Sequence, residues 1–298
     1  MKKILIVGCG LLGSSLLRRI QKKKMAKKIY IYEKSKSNIT KIKKLGLPGI
    51  IVKKLEEGVV KSDLIILCTP MSEYKNLILK MNKFLSPKTI MTDIGSSKIE
   101  SSKIIKKFLK KDIFLTQSHP IAGSEVSGPE HGKQDIFENK WCVLIKEKNT
   151  KQNHLAILNK FWKKIGSKVA VMSAEKHDKI FSITSHLPHL IAYNLVKSAQ
   201  DFEKIQNYDL IKYSAGGLRD FSRIAASNEI MWRDIFFNNN KNISKAIDLF
   251  IKNLNSFKKD INLKNNKSIL KKLIQTKKVR TKIIKLKQDI NKPDFGRS

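Results

Sequence analysis

The residues with the clearest chemical potential lie at positions 119–125, where the chain reads HPIAGSE at the end of an apolar run. A neutral imidazole accepts a proton near pH 7, so His119 is predicted to act as a general base. A nucleotide-binding motif opens the same chain. A histidine that emerges from a later strand of the same sheet would lie near whatever that nucleotide carries. The combination indicates a redox enzyme.

The opening motif, KILIVGCGLLG over residues 3–13, places an apolar strand before glycines spaced G-x-G-x-x-G. Gly8 is expected to make the tight turn, Gly10 to let the backbone approach a pyrophosphate, and Gly13 to allow close packing of helix on strand. The N-terminus of the next helix would hold the pyrophosphate, because its free N–H groups and its dipole favour anions. The predicted cofactor-binding residues are Gly8, Gly10, Leu11, Leu12, Gly13, Glu33, Thr69 and Pro70.

A carboxylate follows the second apolar run of the chain. The run Ile29–Tyr32 ends in Glu33, about 20 residues after the last glycine, where a carboxylate that hydrogen-bonds the ribose hydroxyls is expected. Because a carboxylate repels a 2′-phosphate, Glu33 favours NAD as the cofactor. The neighbouring Lys34 softens this preference, and NADP stays possible.

The net charge of +36 would ordinarily prompt a nucleic-acid interpretation. The lysines are nevertheless spread along the chain, together with many Ile and Asn, which indicates a compositional bias at exposed positions. We therefore expect non-specific attraction to polyanions at low salt and no specific nucleic-acid partner. A basic nucleotide- or RNA-binding protein, in which His119 would be chemically inert, stays open as an alternative.

No apolar stretch approaches the length of a membrane span, and the few apolar residues before Cys9 are too short for a secretory core. The protein is therefore expected in the cytoplasm, without a membrane partner. The three cysteines show no C-x-x-C spacing, which predicts reduced, structural thiols. No metal site is predicted, because Pro188 separates His186 from His189 and a third ligand is missing.

Short apolar runs alternate with helix-like segments up to residue 172. This alternation is typical of an α/β fold with a doubly wound, mostly parallel sheet, so residues 1–172 are predicted to form a Rossmann-type dinucleotide-binding domain. Ligands of such sheets bind beyond the carboxyl ends of the strands. Thr69-Pro70, Gly95-Ser96 and His119-Pro120 each follow such an end and should line one crevice.

From residue 173 onward the pattern changes to long apolar-periodic segments with no convincing strand. Residues 173–298 are therefore predicted to form an all-helical substrate and dimerisation domain. Its long apolar faces need more partners than one small domain provides, which favours a homodimer. The densest basic segment, residues 258–298, also carries apolar residues at helical spacing, which predicts an amphipathic helix within a basic C-terminal tail.

Seven motifs between residues 2 and 257 resemble, in order, those of the prephenate/arogenate dehydrogenase family of tyrosine biosynthesis. They are GxGxxG at 8–13, CTP at 68–70, DIGSSK at 93–98, HPIAGSE at 119–125, HLPH at 186–189, GGLRDFSRIA at 216–225 and MWRDIF at 231–236. The resemblance implies a Rossmann-type domain followed by a helical dimerisation domain. It also implies NAD(P)-dependent oxidative decarboxylation, of prephenate to 4-hydroxyphenylpyruvate or of arogenate to tyrosine. No motif residue states which of the two is the substrate.

The resemblance also implies roles for single residues. Ser96 would hydrogen-bond around the substrate hydroxyl and the catalytic His119, helping to fix the histidine tautomer. Arg223 would grip a substrate carboxylate with its planar guanidinium, and Arg219, one helical turn earlier, would extend that patch. His189 matches a substrate-site histidine of the family.

Glu125 would fix its loop or favour a substrate that carries an amino group. No separate regulatory domain is expected, and direct competition by tyrosine stays open. An imine or β-hydroxyacid reductase of the same two-domain plan is an alternative. It would be expected to use a lysine or another donor in the helical half and has no need of the HPIAG motif.

Four further residues lie outside the predicted site. His177 matches the family only through the short stretch EKHD and is left outside the predicted catalytic set. Trp232 is expected to pack, because an aromatic residue at the start of a helix usually buries area. Ser97 and Glu100 have the spacing of a capping box for the helix that follows them.

Overall fold

The computed structural model describes residues 2–288 and divides the chain into two compact units, Met1–Ile243 and Ser244–Ser298. All predicted site residues lie in the first unit. Within residues 2–288, no helix is both long enough and apolar enough to cross a membrane.

A five-stranded parallel sheet forms the centre of the first unit, with the strand order β3-β2-β1-β4-β5. The strands are β1 (Lys3–Val7), β2 (Lys28–Tyr32), β3 (Ile50–Ile51), β4 (Leu64–Leu67) and β5 (Ile90–Asp93). The helices between and after them are α1 (Leu11–Lys22), α2 (Lys36–Lys44), α3 (Leu55–Val60), α4 (Tyr74–Met81) and α5 (Ile99–Phe108). The order reverses between β1 and β4, where an open α/β sheet binds its ligands.

The central strands are buried on both faces, as expected for parallel strands covered by helices. Ile4 and Ile6 of β1 pack into one core with α1 and α6 (Gln152–Ile165), whereas Leu5 and Val7 pack into a second core with α4. Because alternating residues of β1 pack into two different cores, packing on both faces of the sheet holds the loop that follows this strand.

An arginine ties α1 to the end of α6 inside the first core. Arg19 is 3% exposed, donates from Nε to the carbonyl of Ile165 at 2.6 Å and pairs through Nη2 with Glu138 at 2.6 Å. One guanidinium therefore satisfies a helix C-terminus and a carboxylate together.

The strand that carries His119 departs from the expectation that it belongs to the same sheet. Strand β6 (Ser118–Pro120) pairs antiparallel with β7 (Trp141–Ile145), and β7 pairs parallel with β8 (Lys168–Met172) in a separate three-stranded sheet. The reason lies at the seam with β5. There, the Lys98 ammonium donates to the Ser118 carbonyl at 2.7 Å, and the Ser118 hydroxyl donates to the Asp93 carbonyl at 2.7 Å. At this seam, backbone pairing with β5 is limited to Leu115 and Thr116, where the Thr116 N–H donates to the Met91 carbonyl at 3.0 Å, and beyond it these side chains make the contacts between the two sheets.

After β8 the described residues contain helices and no strand, as the sequence predicts. They are α7 (Ala174–Phe181), α8 (Leu187–Gln206), α9 (Gly216–Ala225), α10 (Glu229–Asn238), α11 (Asn240–Asn262) and α12 (Asn266–Lys285). A π-helical turn, Ser182–His186, joins α7 to α8.

The second unit holds most of α11 and all of α12. Within it, Lys272 donates to Asp260 at 2.6 Å and to Ser256 at 2.6 Å, which joins the two helices. The amphipathic helix predicted for the basic tail corresponds to α12, while residues 289–298 of that tail lie outside the described residues.

Candidate functional site

The glycine loop after β1 has the geometry that its sequence predicts. Gly8 takes a φ of +88°, a region that favours glycine, and its N–H donates to the Tyr32 carbonyl at 2.8 Å. A Cβ at Gly13 would lie 2.1 Å from the Gly8 carbonyl oxygen, so a side chain there would force α1 away from the loop. A Cβ at Gly10 would meet nothing within 4 Å, which leaves open space beside the first turn of α1.

Glu33 lies against this loop at the end of β2. Its Oε2 accepts a hydrogen bond from the Cys9 N–H at 2.8 Å, and its Oε1 accepts one from the Ser35 N–H at 2.8 Å. Burial, followed by the charge of Glu33, raises the pKa of the Cys9 thiol to about 12. The thiol therefore stays neutral and adds no negative charge beside an anionic ligand.

Thr69 and Pro70 follow β4 on the other side of the loop. The Thr69 Oγ1 is buried without a hydrogen-bond partner in the described part of the chain, and its Cγ2 would lie 2.8 Å from a Cβ placed on Gly8. An unsatisfied buried hydroxyl calls for a partner. The Thr69 hydroxyl, the open space at Gly10 and the free N–H groups in the first turn of α1 lie around the same loop. This arrangement fits a dinucleotide that lies across the loop.

His119 is 7% exposed and belongs to a chain of three buried polar side chains. Its Nδ1 lies 2.7 Å from Nε2 of His177, and Nδ1 of His177 lies 2.8 Å from Oδ1 of Asp178. Asp178 also accepts hydrogen bonds at 2.9 Å from the backbone N–H groups of Lys98 and Ile99. The hydrogen-bonded chain from His119 through His177 to Asp178 thus ends at the N-terminus of α5.

The surroundings of His119 keep its imidazole neutral. Burial lowers the pKa of His119 well below 6.5, and the charges of His177, Lys98 and His186 lower it further. Burial likewise lowers the pKa of His186 to about 4. A neutral imidazole is the form that can accept a proton, so the site is prepared for general base catalysis.

A buried ion pair lies beside the histidine chain. Lys98 and Asp93 are both fully buried and pair at 2.8 Å, and the Tyr74 hydroxyl donates to the same carboxylate at 2.9 Å. Asp93 Oδ1 is buried without a partner among residues 2–288. The Lys98 ammonium therefore links the end of β5 to the strand of His119 while it disfavours a positive charge on the imidazole.

Ser96 lies between β5 and α5 and is half-buried. Its backbone is next to His186 and partly offsets the lowering of the His186 pKa by burial. In the described residues, His119 Nδ1 meets His177 rather than Ser96. The catalytic role of Ser96 therefore stays a prediction.

The capping box expected from Ser97 and Glu100 is wrong, because Ser97 contacts Met71 and Glu100 pairs with Lys103. The α5 N–H groups are already satisfied by a carboxylate from α7.

Two predicted substrate residues meet at the exposed side of the site. Arg223 on α9 and Glu125, which follows the HPIAG motif, pair at 3.4 Å, with side chains 45% and 29% exposed. Arg219 lies one turn earlier on α9 and is exposed. A guanidinium held loosely by one carboxylate can exchange that partner for a carboxylate of a ligand.

His189 on α8 stacks on Trp232 of α10, with ring centroids 3.8 Å apart and an interplanar angle of 23°. Its Nδ1 lies 2.9 Å from the Ser185 carbonyl oxygen, so Nδ1 carries the hydrogen and Nε2 is left as an acceptor. Trp232 is 5% exposed and packs in the second core, as expected. Among residues 2–288, no cluster of three His, Cys, Asp or Glu could hold a metal ion.

Sequence reasoning omitted the two residues that complete the histidine chain. The signal that could have found them is their helical spacing with two apolar residues. Ala174, His177, Asp178 and Phe181 share one face of α7, and that face is buried. A histidine and an aspartate on the apolar face of a short helix need partners, because unpaired buried polar groups are costly.

The comparisons with known proteins agree in both halves of the chain. A family model described as the prephenate dehydrogenase nucleotide-binding domain matches residues 16–171, and one described as the prephenate dehydrogenase dimerization domain matches residues 173–288. A cyclohexadienyl dehydrogenase of Zymomonas mobilis is 31% identical over 94% of this chain and 95% of its own length. A prephenate dehydrogenase of Lactococcus lactis is 32% identical over 94% of this chain and 77% of its own length.

A similar solved structure is that of prephenate dehydrogenase from A. aeolicus, determined in complex with hydroxyphenyl propionate and NAD+. It superimposes with a TM-score of 0.88 at 34% sequence identity, over 95% of this chain and 98% of that one.

Proposed function

The chain belongs to the prephenate dehydrogenase family, and on this premise we propose that it oxidises and decarboxylates prephenate or arogenate with NAD in tyrosine biosynthesis. The observation that carries the proposal is the pairing of a neutral, buried His119 with the glycine loop within one compact unit. A neutral imidazole can take the proton of a substrate hydroxyl group, and a bound NAD would supply the acceptor for the hydride of the carbon that bears it.

The residues of this chain divide the reaction between a buried base and an exposed cation. His119 takes the hydroxyl proton on Nε2, the nitrogen that His177 leaves free. His119 and Lys98 belong to a buried set of polar groups, which keeps water from competing for the proton. Carbon dioxide then leaves because the ring becomes aromatic, a driving force that belongs to the substrate.

Substrate orientation falls to the α8–α9 side of the site. Arg223 is proposed to bind a substrate carboxylate, a role that its pairing with the Glu125 carboxylate supports. Arg219 adds positive charge one turn earlier on α9. His189, with Nε2 free to accept, is proposed to hydrogen-bond a donor of the substrate. Ser96 is proposed to contact the substrate hydroxyl, which its half-buried position after β5 would allow.

The cofactor residues support NAD in preference to NADP. A bound NAD would supply the hydride acceptor of the reaction. Glu33 would meet the ribose hydroxyls and repel a 2′-phosphate, while Gly10 and Thr69 would face the pyrophosphate side. Comparison of kcat/KM with the two cofactors tests this preference, which equal or better use of NADP would contradict.

Three further points belong to the same proposal. The chain forms a homodimer through its helical half, which the family description of residues 173–288 as a dimerization domain supports. A functional boundary near residue 172 is supported by the family models, which meet there, although the compact units divide after Ile243. The cytoplasmic location stays a prediction.

Purified protein mixed with NAD and either prephenate or arogenate tests the reaction. We expect reduced cofactor and carbon dioxide in equal amounts, and the ratio of the two kcat/KM values identifies the substrate. An imine or β-hydroxyacid reductase would release no carbon dioxide. An RNA-binding protein would give neither product, and either of these results would contradict the proposal.

A further inference from the structure

Two fully buried polar residues next to His119 have no part in the proposed chemistry. His177 and Asp178 lie on α7, both at 0% exposure, and together they continue the hydrogen-bond chain away from the substrate side. Burying a histidine and a carboxylate is costly unless each is satisfied. The arrangement is closed at one end by the backbone of α5 and at the other by the base.

The positions of the hydrogens follow from the acceptor at the closed end. Both carboxylate oxygens of Asp178 already accept backbone N–H groups, from Lys98 and Ile99. Oδ1 can therefore only accept from His177, whose Nδ1 carries a hydrogen. In a neutral imidazole the other nitrogen is then bare, so His177 Nε2 is an acceptor.

The next contact fixes the base itself. His177 Nε2 and His119 Nδ1 are 2.7 Å apart, and two bare nitrogens cannot approach so closely without a hydrogen between them. His119 Nδ1 must supply that hydrogen, which leaves its Nε2 with a free lone pair. This is the tautomer that a base needs when Nδ1 faces the protein interior.

We propose that His177 and Asp178 are positioning residues that hold His119 in the Nδ1–H tautomer and share the positive charge once the base is protonated. The hydroxyl proton of the substrate arrives on Nε2 of His119, and the Nδ1 hydrogen can then move to Nε2 of His177. The charge comes to lie next to the Asp178 carboxylate, with no other reactant consumed. Only the kinetic part of this inference rests on the proposed function, because the tautomer is a property of the free protein.

The first experiment reads the tautomer directly. In full-length protein labelled with 15N-histidine, long-range nitrogen–proton NMR correlations distinguish a protonated nitrogen from a bare one. Signals of the six histidines are assigned by single substitutions. We expect His119 to show a protonated Nδ1 and a bare Nε2. The opposite tautomer in the wild-type protein would overturn the proposal, whatever reaction the enzyme catalyses.

The second experiment replaces the partner. His177→Phe keeps a ring but removes the hydrogen-bond acceptor, so His119 is no longer held in one tautomer. We expect kcat to fall about 10–100-fold, which is less than the about 10²–10⁴-fold that a general base contributes. KM should stay within about threefold, since His177 does not touch the substrate. His177→Gln offers a carbonyl oxygen to the same Nδ1–H and should recover part of kcat and the wild-type tautomer.

A matched control separates this effect from general loss of packing. His154 on α6 is also buried, lies outside the histidine chain and has an Nδ1 without a partner in the described residues. His154→Phe should leave both kcat and the His119 tautomer unchanged. A His177→Phe enzyme with wild-type kcat and tautomer would refute the positioning role. If His177→Phe does not fold, the wild-type spectrum and His177→Gln still decide the question.

Discussion

The buried end of the site and its exposed rim are built on opposite principles. At the buried end, His119, His177, Asp178 and Lys98 are at most 7% exposed, and each has a partner within 3 Å. At the rim, the ion pair of Arg223 is open to water. Exposed pairs of this kind contribute about 0–1 kcal/mol, so exchanging the partner costs little. On the proposed function, we therefore expect the buried end to set the rate of the chemistry and the rim to set the affinity for the substrate.

The largest effect should come from removing the base at the buried end. His119→Asn should lower kcat by about 10²–10⁴-fold while the substrate still binds, because the amide cannot accept the hydroxyl proton. Steady-state kinetics with separate determination of kcat and KM measures the change. Near-normal kcat in this variant would remove His119 from the mechanism and end the division between the two regions.

The next effect concerns stability. Lys98→Met leaves the Asp93 carboxylate buried without its cation, which should cost about 3–5 kcal/mol of unfolding free energy. Lys103→Met is the matched control, because Lys103 forms an exposed pair with Glu100 and its loss should cost less than about 1 kcal/mol. Urea unfolding curves measure both. Equal losses in the two variants would contradict the contrast between buried and exposed charges.

The rim should respond in KM. Arg223→Ala removes a charge-assisted hydrogen bond to a substrate carboxylate, worth roughly 2–3 kcal/mol or about 30–150-fold in KM. Arg219→Ala should raise KM less, since it adds charge one turn away. A normal KM after Arg223→Ala would move the carboxylate site elsewhere, with Arg219 the next candidate.

The smallest effect is a displacement along the pH axis. The base works in its neutral form, and burial holds the pKa of His119 well below 6.5. Therefore kcat should rise with pH through a value below 6.5 and should already be flat near pH 7. Measurement of kcat across this range with saturating substrate checks the expectation. An acidic limb centred above 6.5 would show that the buried end does not hold the imidazole neutral.

The glycine loop and the buried histidine chain differ in how well the sequence predicts them. Cys9 of the glycine loop and Glu33 are 24 positions apart, within one strand–helix–strand unit, and each glycine has one steric task, so their geometry follows from the pattern. His119 and His177 are 58 positions apart, and the cap of α5 comes from Asp178, some 80 positions away. Such contacts depend on how α7 packs against β6, which no local pattern encodes. The separate sheet of β6 is unpredicted for the same reason, since the backbone pairing with β5 stops at Thr116 and the side chains of Lys98 and Ser118 make the contacts beyond it.

The buried arginine of α1 has a consequence for which residues can replace it. The sequence has 61 basic residues, of which only seven are arginines, so lysine fills most of the cationic positions. Arg19 stands where one planar group serves a carbonyl and a carboxylate together, a task that the single ammonium of a lysine does not match. We therefore expect lysine-rich relatives of this protein to keep an arginine at this position, and the frequency of arginine at each cationic position of such relatives checks this expectation.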